Sequence, residues 1–248
     1  MGITSATPHK PAAAQGGGTQ AGPADPDHRR LHLPAGTGRQ RAATQGTDVQ
    51  RERILQAAAQ LFAAQGYANT TMAQIVRALG VTKPFVYYYF RDKQEIFETL
   101  SWKPAVECLT TMDFPAEDTR RARDKVMDGL ERLIRATIAN IPCAFFPYRE
   151  PQVYRPEYVA EQKRLAHHFY DRMVPLLEEA RRDGDLDFDD AKVTAFAACS
   201  LPGFLYSWYR PDGHYTVDEM VGKLSVLAWR VIGVRESPKT YAKQQEDG

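Results

Sequence analysis

The chain has 248 residues, of which 43% are hydrophobic and 25% charged, with a formal net charge of +1. That is long and apolar enough to bury one or two cores, and it excludes a wholly disordered chain, a collagen-like repeat and a small disulfide scaffold. The near-neutral balance also excludes a uniformly basic surface, so any positive field for a polyanion must be local and offset elsewhere.

Residues 1–47 are rich in Ala, Gly, Gln, Pro and Thr, with Gly16, Gly17 and Gly18 in a row and almost no periodic apolar residues. Such a segment cannot bury enough surface to order itself. Arg29, Arg30, Arg39 and Arg41 would suit an arm that tracks phosphates or a minor groove. An inert tail, or a misplaced start, is the simpler reading. From Val49 to Gly66 the spacing of Ile54, Leu55, Ala58, Leu61 and Phe62 predicts a helix with one apolar face, closed by Gly66.

Met72, Ile75, Val76 and Leu79 fall at i, i+3, i+4 and i+7, which puts four apolar side chains on one face of a short second helix. Thr71 and Gln74 form a capping box at its start, and Gly80 stands where the chain needs a left-handed residue. Thr82 then caps a third helix whose first turn tolerates Pro84, because a proline's missing N–H costs nothing there. Val86 and Phe90 face inward and leave Lys83, Phe85, Tyr87, Tyr88 and Tyr89 outside. Two short helices across a sharp turn make a helix-turn-helix. Rings with hydroxyl tips beside a cation suit phosphate oxygens and thymine methyls in a major groove. A helical hairpin whose aromatics merely fill a core is the alternative. Arg51, Arg53, Arg77, Lys83, Arg91 and Lys93 outnumber Glu52 and Asp92 here, which supplies a local positive field.

The series Thr71, Ile75, Val76, Gly80, Val81, Thr82, Tyr87, Tyr89, Phe90 and Lys93 resembles the DNA-binding signature of the TetR family of bacterial transcriptional regulators. Val76 stands where the family usually has alanine, and Pro84 where many members have glycine. The resemblance implies an all-α fold: a three-helix head at 48–92, a helical effector-binding and dimerisation domain at 93–236, and a tail at 237–248. It implies a homodimer on a palindromic operator in double-stranded DNA, most often a repressor. DNA contacts are expected from Thr71, Thr82, Lys83, Phe85, Tyr87, Tyr88, Tyr89 and Lys93. Tyr87 and Tyr89 would hold phosphates, Lys83, Phe85 and Tyr88 would face bases, and Thr71 and Lys93 would anchor the flanking backbone.

Asp92 and Glu95 predict a capping box that opens a helix through Ile96, Phe97 and Leu100 toward Met112. Pro104 either bends that helix near Trp102 or begins a new one. A helix over 119–140 carries Val126, Leu130, Leu133, Ile134, Thr137, Ile138 and Ile141 on one stripe. The run Pro142 to Arg149 is too aromatic for a free surface loop, so it lines a cavity or plugs the bundle. Pro156 begins a helix that carries Tyr158, Leu165, Phe169, Met173, Leu176 and Leu177 inward and ends at Gly184, with Pro175 a potential bend and His167 and His168 structural. Two last helices, 190–210 and 216–232, are more apolar than one monomer's core requires; Thr216 and Glu219 cap the second. The resemblance makes them the dimer's four-helix bundle, with Phe196, Leu201, Leu205, Leu224, Leu227 and Val231 at the interface. A monomeric core is the alternative.

No sheet pattern, G-x-S-x-G, P-loop or dinucleotide fingerprint appears, so no enzyme and no cofactor is expected. Cys108, Cys143 and Cys199 lack a CxxC pair or interleaved histidines and read as buried free thiols, with no metal site. No apolar run approaches the roughly 20 residues that span a bilayer, and the expectation is a cytoplasmic protein without a membrane partner. The runs Tyr148 to Glu150, Arg155 to Tyr158 and Trp208 to Gly213 resemble those of TetR-family regulators of lipid, steroid and aromatic catabolism, several of which respond to coenzyme A thioesters. A pocket lined by Trp102, Phe145, Tyr148, Phe169, Phe196 and Phe204, with Arg149 or Arg164 at its mouth, would suit a small-molecule effector of acyl-CoA type. A multidrug-type aromatic sensor is the second reading. An enzyme fused to the helix-turn-helix and a ligand-free DNA-binding protein stand further back.

Overall fold

A computed structural model describes residues 38–210 and 212–234, with side chains from residue 47 onward apart from Tyr206. The arginine arm lies outside the described residues except for the backbone from Gly38, and the tail expected at 237–248 lies outside them altogether. The chain divides after Thr44, and the head and the body both belong to the second unit, Gln45–Gly248. Among the described residues there is no strand, only one isolated antiparallel bridge between Leu186 and Val234.

The head begins with α1 (Gly38–Asn69), which starts earlier than the apolar periodicity indicates because Ala, Gln and Arg before Asp48 are good helix formers. Gly66, at φ +79° and ψ 166°, breaks its helical geometry near the expected end. In α2 (Met72–Leu79) the Thr71–Gln74 capping box forms in both directions. Gly80 closes the helix at φ 66°, its N–H turned back onto the carbonyls of Val76 and Arg77, a conformation that a Cβ would strain. In α3 (Lys83–Tyr89) Pro84 sits in the first turn, but Thr82 makes no capping hydrogen bond with its side chain, contrary to expectation. Ile54, Ala58, Phe62, Ile75, Val86 and Phe90 close around one another as the head's core.

The connector α4 (Lys93–Leu109) continues through Pro104, so the proline begins no new helix. Asp92 caps it by accepting the Glu95 N–H at 2.8 Å. The return bond of the expected box goes instead from the Arg91 N–H to Glu95 Oε2 at 2.9 Å. α5 (Ala122–Ala139) lies at the centre of the body, packed on α4, on α7 (Pro156–Arg182) and on α10 (Val217–Val231). Its buried stripe Val126, Leu130, Leu133, Ile134, Thr137 and Ile138 follows the predicted one, except that Ile141 lies beyond the C-cap Asn140 and is only partly buried. Between α5 and α7 the chain forms a 3-10 turn (Cys143–Phe145), the short α6 (Phe146–Arg149) and a second 3-10 turn (Pro151–Val153).

The expected helix over 190–210 is broken. α8 (Ala191–Ser200) gives way to a 3-10 turn (Leu201–Phe204) and then to the short α9 (Leu205–Trp208), because Pro202 can donate no hydrogen bond to the turn before it. Gly233 closes α10 with φ 68°; a Cβ there would lie 1.8 Å from the Asp187 carbonyl oxygen, so only glycine lets the bridge segment approach.

Candidate DNA-reading helix and effector cavity

On α3 the exposed residues are Lys83, Pro84, Tyr87 and Tyr88, with Tyr88 78% and Tyr87 41% exposed. Lys83 Nζ lies 5.5 Å from the Tyr87 ring centre, a cation held over a ring it can leave for a phosphate. Thr82 is exposed one residue earlier. Phe85 and Tyr89, expected to point outward, are only partly exposed: they lean on the head core and on each other, 5.2 Å between ring centres. On a helix this short the buried stripe is wide enough to take the edges of its neighbours. Thr71 is exposed, but its hydroxyl is engaged with Gln74 in the capping box.

Lys93 departs furthest from its expected role as a backbone anchor for DNA. Its ammonium donates to the carbonyls of Tyr67 and Thr70 at 2.6 Å each and sits 4.0 Å above the Tyr67 ring. Desolvation lowers its pKa, partly opposed by Glu150. With two of its three N–H donors used inside the head, Lys93 ties the start of α4 to the end of α1.

A cavity of about 330 Å³ opens in the body between α4, α5, α7, the segment after α5, and the end of α8 with the turn that follows it. Of the residues expected to line it, Phe145, Tyr148 and Phe169 do. Trp102, Arg149, Arg164, Phe196 and Phe204 are not in its lining. Trp102 packs edge-on against Tyr158, Arg164 pairs with Glu161, and Phe196 and Phe204 are more than half exposed. Sequence periodicity ranks residues by apolarity, whereas a cavity is walled by whichever side chains helix crossings leave there. It therefore missed Ser101, Cys108, Thr137, Gln162, Tyr170 and Cys199. Burial raises the pKa of the Cys108 thiol and pushes that of Cys199 up to about 12, so both are protonated and poor nucleophiles. Among the described residues no group of three or more His, Cys, Asp and Glu is placed to hold a metal ion. His168 bonds Asp113 at 2.8 Å.

The segment after α5 joins the cavity to the head. Ala144, Phe145, Pro147 and Tyr148 wall the cavity. Phe146 instead enters the head core and stacks on Phe97, 4.8 Å between centres and 18° between planes. Arg155 reaches Asp92 and Glu98 on the other side of the same segment.

Of the six residues expected at a dimer interface, Phe196, Leu227 and Val231 are exposed, at 58%, 44% and 37%. Leu205 and Leu224 are instead buried in their own body core, at 0% and 6%, and Leu201 is partly buried. The break at Pro202 turns Leu205 inward. Val193, Phe204, Trp208 and Val226 are also exposed on these elements, which the expected set left out. No helix among the described residues is long and apolar enough to cross a membrane.

Residues 54–100 match the family model described as bacterial regulatory proteins of the tetR family, and residues 119–232 match a tetracyclin repressor-like C-terminal domain. The chain is similar to the transcriptional repressor BepR of Brucella suis, 28% identical over 174 residues that cover 64% of this chain and 79% of that one. Among solved structures it is similar to PfmR, a TetR family regulator from Thermus thermophilus, with a TM-score of 0.65 and 23% identity over 74% of this chain and all of that one. It is similar also to AibR, solved in complex with isovaleryl coenzyme A and operator DNA, with a TM-score of 0.60 and 17% identity over 75% of this chain and 99% of that one. With the helix-turn-helix and the helical C-terminal domain both matched, this chain is a DNA-binding transcriptional regulator that belongs to the TetR family.

Proposed function

We propose that the protein is a ligand-responsive repressor that binds a palindromic operator as a homodimer and releases it when a small, largely apolar, uncharged molecule fills the cavity. The observation that carries the ligand class is the wall itself: its lining includes hydroxyls, an amide and thiols, but no charged side chain. An ionised ligand group would lose its hydration there without a countercharge, a large cost. About 330 Å³ is also at the small end of ligand pockets. An acyl-CoA therefore fits only with its acyl end inside and its phosphates in solvent.

Operator reading falls to Lys83, Tyr87 and Tyr88 with Thr82, the exposed side chains of α3 and its cap that can donate or accept a hydrogen bond. The apolar side chains exposed on α8 and α10 support self-association, since a second copy would cover them. A two-fold dimer would set two such helices about 34–36 Å apart, one duplex turn or a multiple of it.

Two measurements test this reading. Duplexes selected from a random pool by the full chain should be palindromic. A thermal-shift screen that pairs neutral aromatic and branched aliphatic compounds with acyl-CoAs should find stabilisers of about 2.7 kcal/mol at a hundredfold excess over Kd. Selection of non-palindromic sequences would remove the dimeric operator, and stabilisation by carboxylate anions alone would remove the neutral ligand.

A further inference from the structure

We propose that Arg155 is a positioning residue for the DNA-binding head: it locks the strap Cys143–Arg155, whose first residues wall the cavity, onto the start of α4. The head then follows the cavity only while the lock is closed. This rests on the reading that occupancy of the cavity governs DNA binding.

The strap has two faces. Toward the body, Ala144, Phe145, Pro147 and Tyr148 form part of the cavity wall. Toward the head, it follows one side of α4 almost residue by residue. Gln94 Nε2 donates to the Val153 carbonyl at 2.5 Å, Phe97 stacks on Phe146, and the Ser101 and Tyr154 hydroxyls share a hydrogen bond of 2.7 Å. Ser101 itself lines the cavity, and its hydroxyl donates to the Phe97 carbonyl and accepts from Tyr154, so a ligand N–H or O–H beside it competes for the oxygen that holds Tyr154.

Arg155 closes the far end. Its backbone N–H donates to Glu98 Oε1 at 2.7 Å and its Nη1 to Glu98 Oε2 at 2.5 Å. Its Nη2 meets both oxygens of Asp92, at 3.0 and 2.7 Å. Asp92 is the N-cap of α4 and stands two residues beyond Phe90, the C-cap of α3. One guanidinium thus fixes the end of the strap, the first turn of α4 and the exit of the reading helix. The Arg155 and Glu98 side chains are 22% and 13% exposed. A pair this enclosed is directional and adds little net stability over an apolar substitute, so its main effect is on relative placement. A ligand that displaces Phe145 or Tyr148 moves the strap, and through Arg155 it moves Asp92.

The test needs no identified effector, because the cavity can be filled from within. Ala105 and Gly203 both line the cavity; Ala105→Phe is the first filler and Gly203→Leu the second, and a Cβ at Gly203 meets no atom within 4 Å. Dissociation constants for a duplex selected with the full chain are measured for each filler in the native, Arg155→Gln and Arg155→Lys backgrounds, with folding checked by circular dichroism. Filling should weaken binding at least about tenfold in the native background, within the usual range of allosteric coupling. It should act less than about twofold with Arg155→Gln, and Arg155→Lys should recover part of the response. A merely structural arginine would leave the effect of filling unchanged between backgrounds, which overturns the proposal, as does a filler without effect in the native background. If Arg155→Gln does not fold, the same cycle is read on Asp92→Asn, which keeps a capping side chain for α4 and removes the charged partner of Arg155. Failure to select any duplex would strike the operator reading instead.

Discussion

Phe145 and Phe146 are adjacent in sequence yet belong to different cores: Phe145 lies in the body core beside the cavity, and Phe146 lies in the head core against Phe97 and Phe62. Both are 2% exposed. The change from a 3-10 turn to the short α6 between them turns successive side chains to opposite sides. One dipeptide therefore spans the joint between ligand site and DNA-binding head.

Truncation should separate the two halves of that joint. Phe146→Ala should destabilise the head by about 3–5 kcal/mol, as deletion of a buried phenylalanine does. Phe145→Leu should leave the head intact and change ligand affinity. Hydrogen exchange of α2 and α3 amides, measured beside ligand-induced thermal shifts, distinguishes the outcomes.

Lys83 and Lys93 should behave oppositely. Lys93→Met leaves two carbonyls of the α1 terminus without their charged donor and should cost the head about 1–3 kcal/mol. Lys83→Ala removes an exposed side chain, should change stability by less than about 0.5 kcal/mol, and should alter which duplexes are selected. Chemical denaturation and a second selection would check both.

Phe196→Asp and Leu227→Asp place a charge where apolar side chains stand in solvent on one protomer. Sedimentation should find each variant shifted toward monomer at micromolar concentration with its helix content unchanged. Leu224→Asp, at a residue 6% exposed, should instead unfold the body.

Acid should loosen the lock through Asp92. Burial pulls its pKa upward, but hydrogen bonds from the Glu95 N–H and the Arg155 guanidinium outweigh that, and the net shift is downward. The unfolded chain then binds the proton more readily than the folded one. The stabilisation is present above the ordinary carboxylate pKa, about 4, and is lost as pH falls through the lower folded value. Asp92→Asn keeps a capping side chain and should flatten that part of the stability profile below about pH 4 in urea titrations.

Local chemistry announces itself in sequence. The Thr71 box, the left-handed Gly80, the proline at the start of α3 and the stripe along α5 were legible because each depends on residues within a turn or two. The same locality carried the family signature over 71–93. Where a side chain meets a distant element, the linear pattern had no hold. Lys93 finds carbonyls 23 and 26 residues away, and Arg155 finds Asp92 63 residues away. The cavity wall combines α4, α5, α7 and the turn after α8, and it contains no arginine because both candidates lie on the surface. Sequence alone determined most of the helices, though not the break at Pro202, and that the head is a helix-turn-helix, because hydrogen bonding within a helix is set by neighbours. The tertiary structure decided which side chains remain free for DNA, ligand or a second copy, because that depends on what each helix packs against.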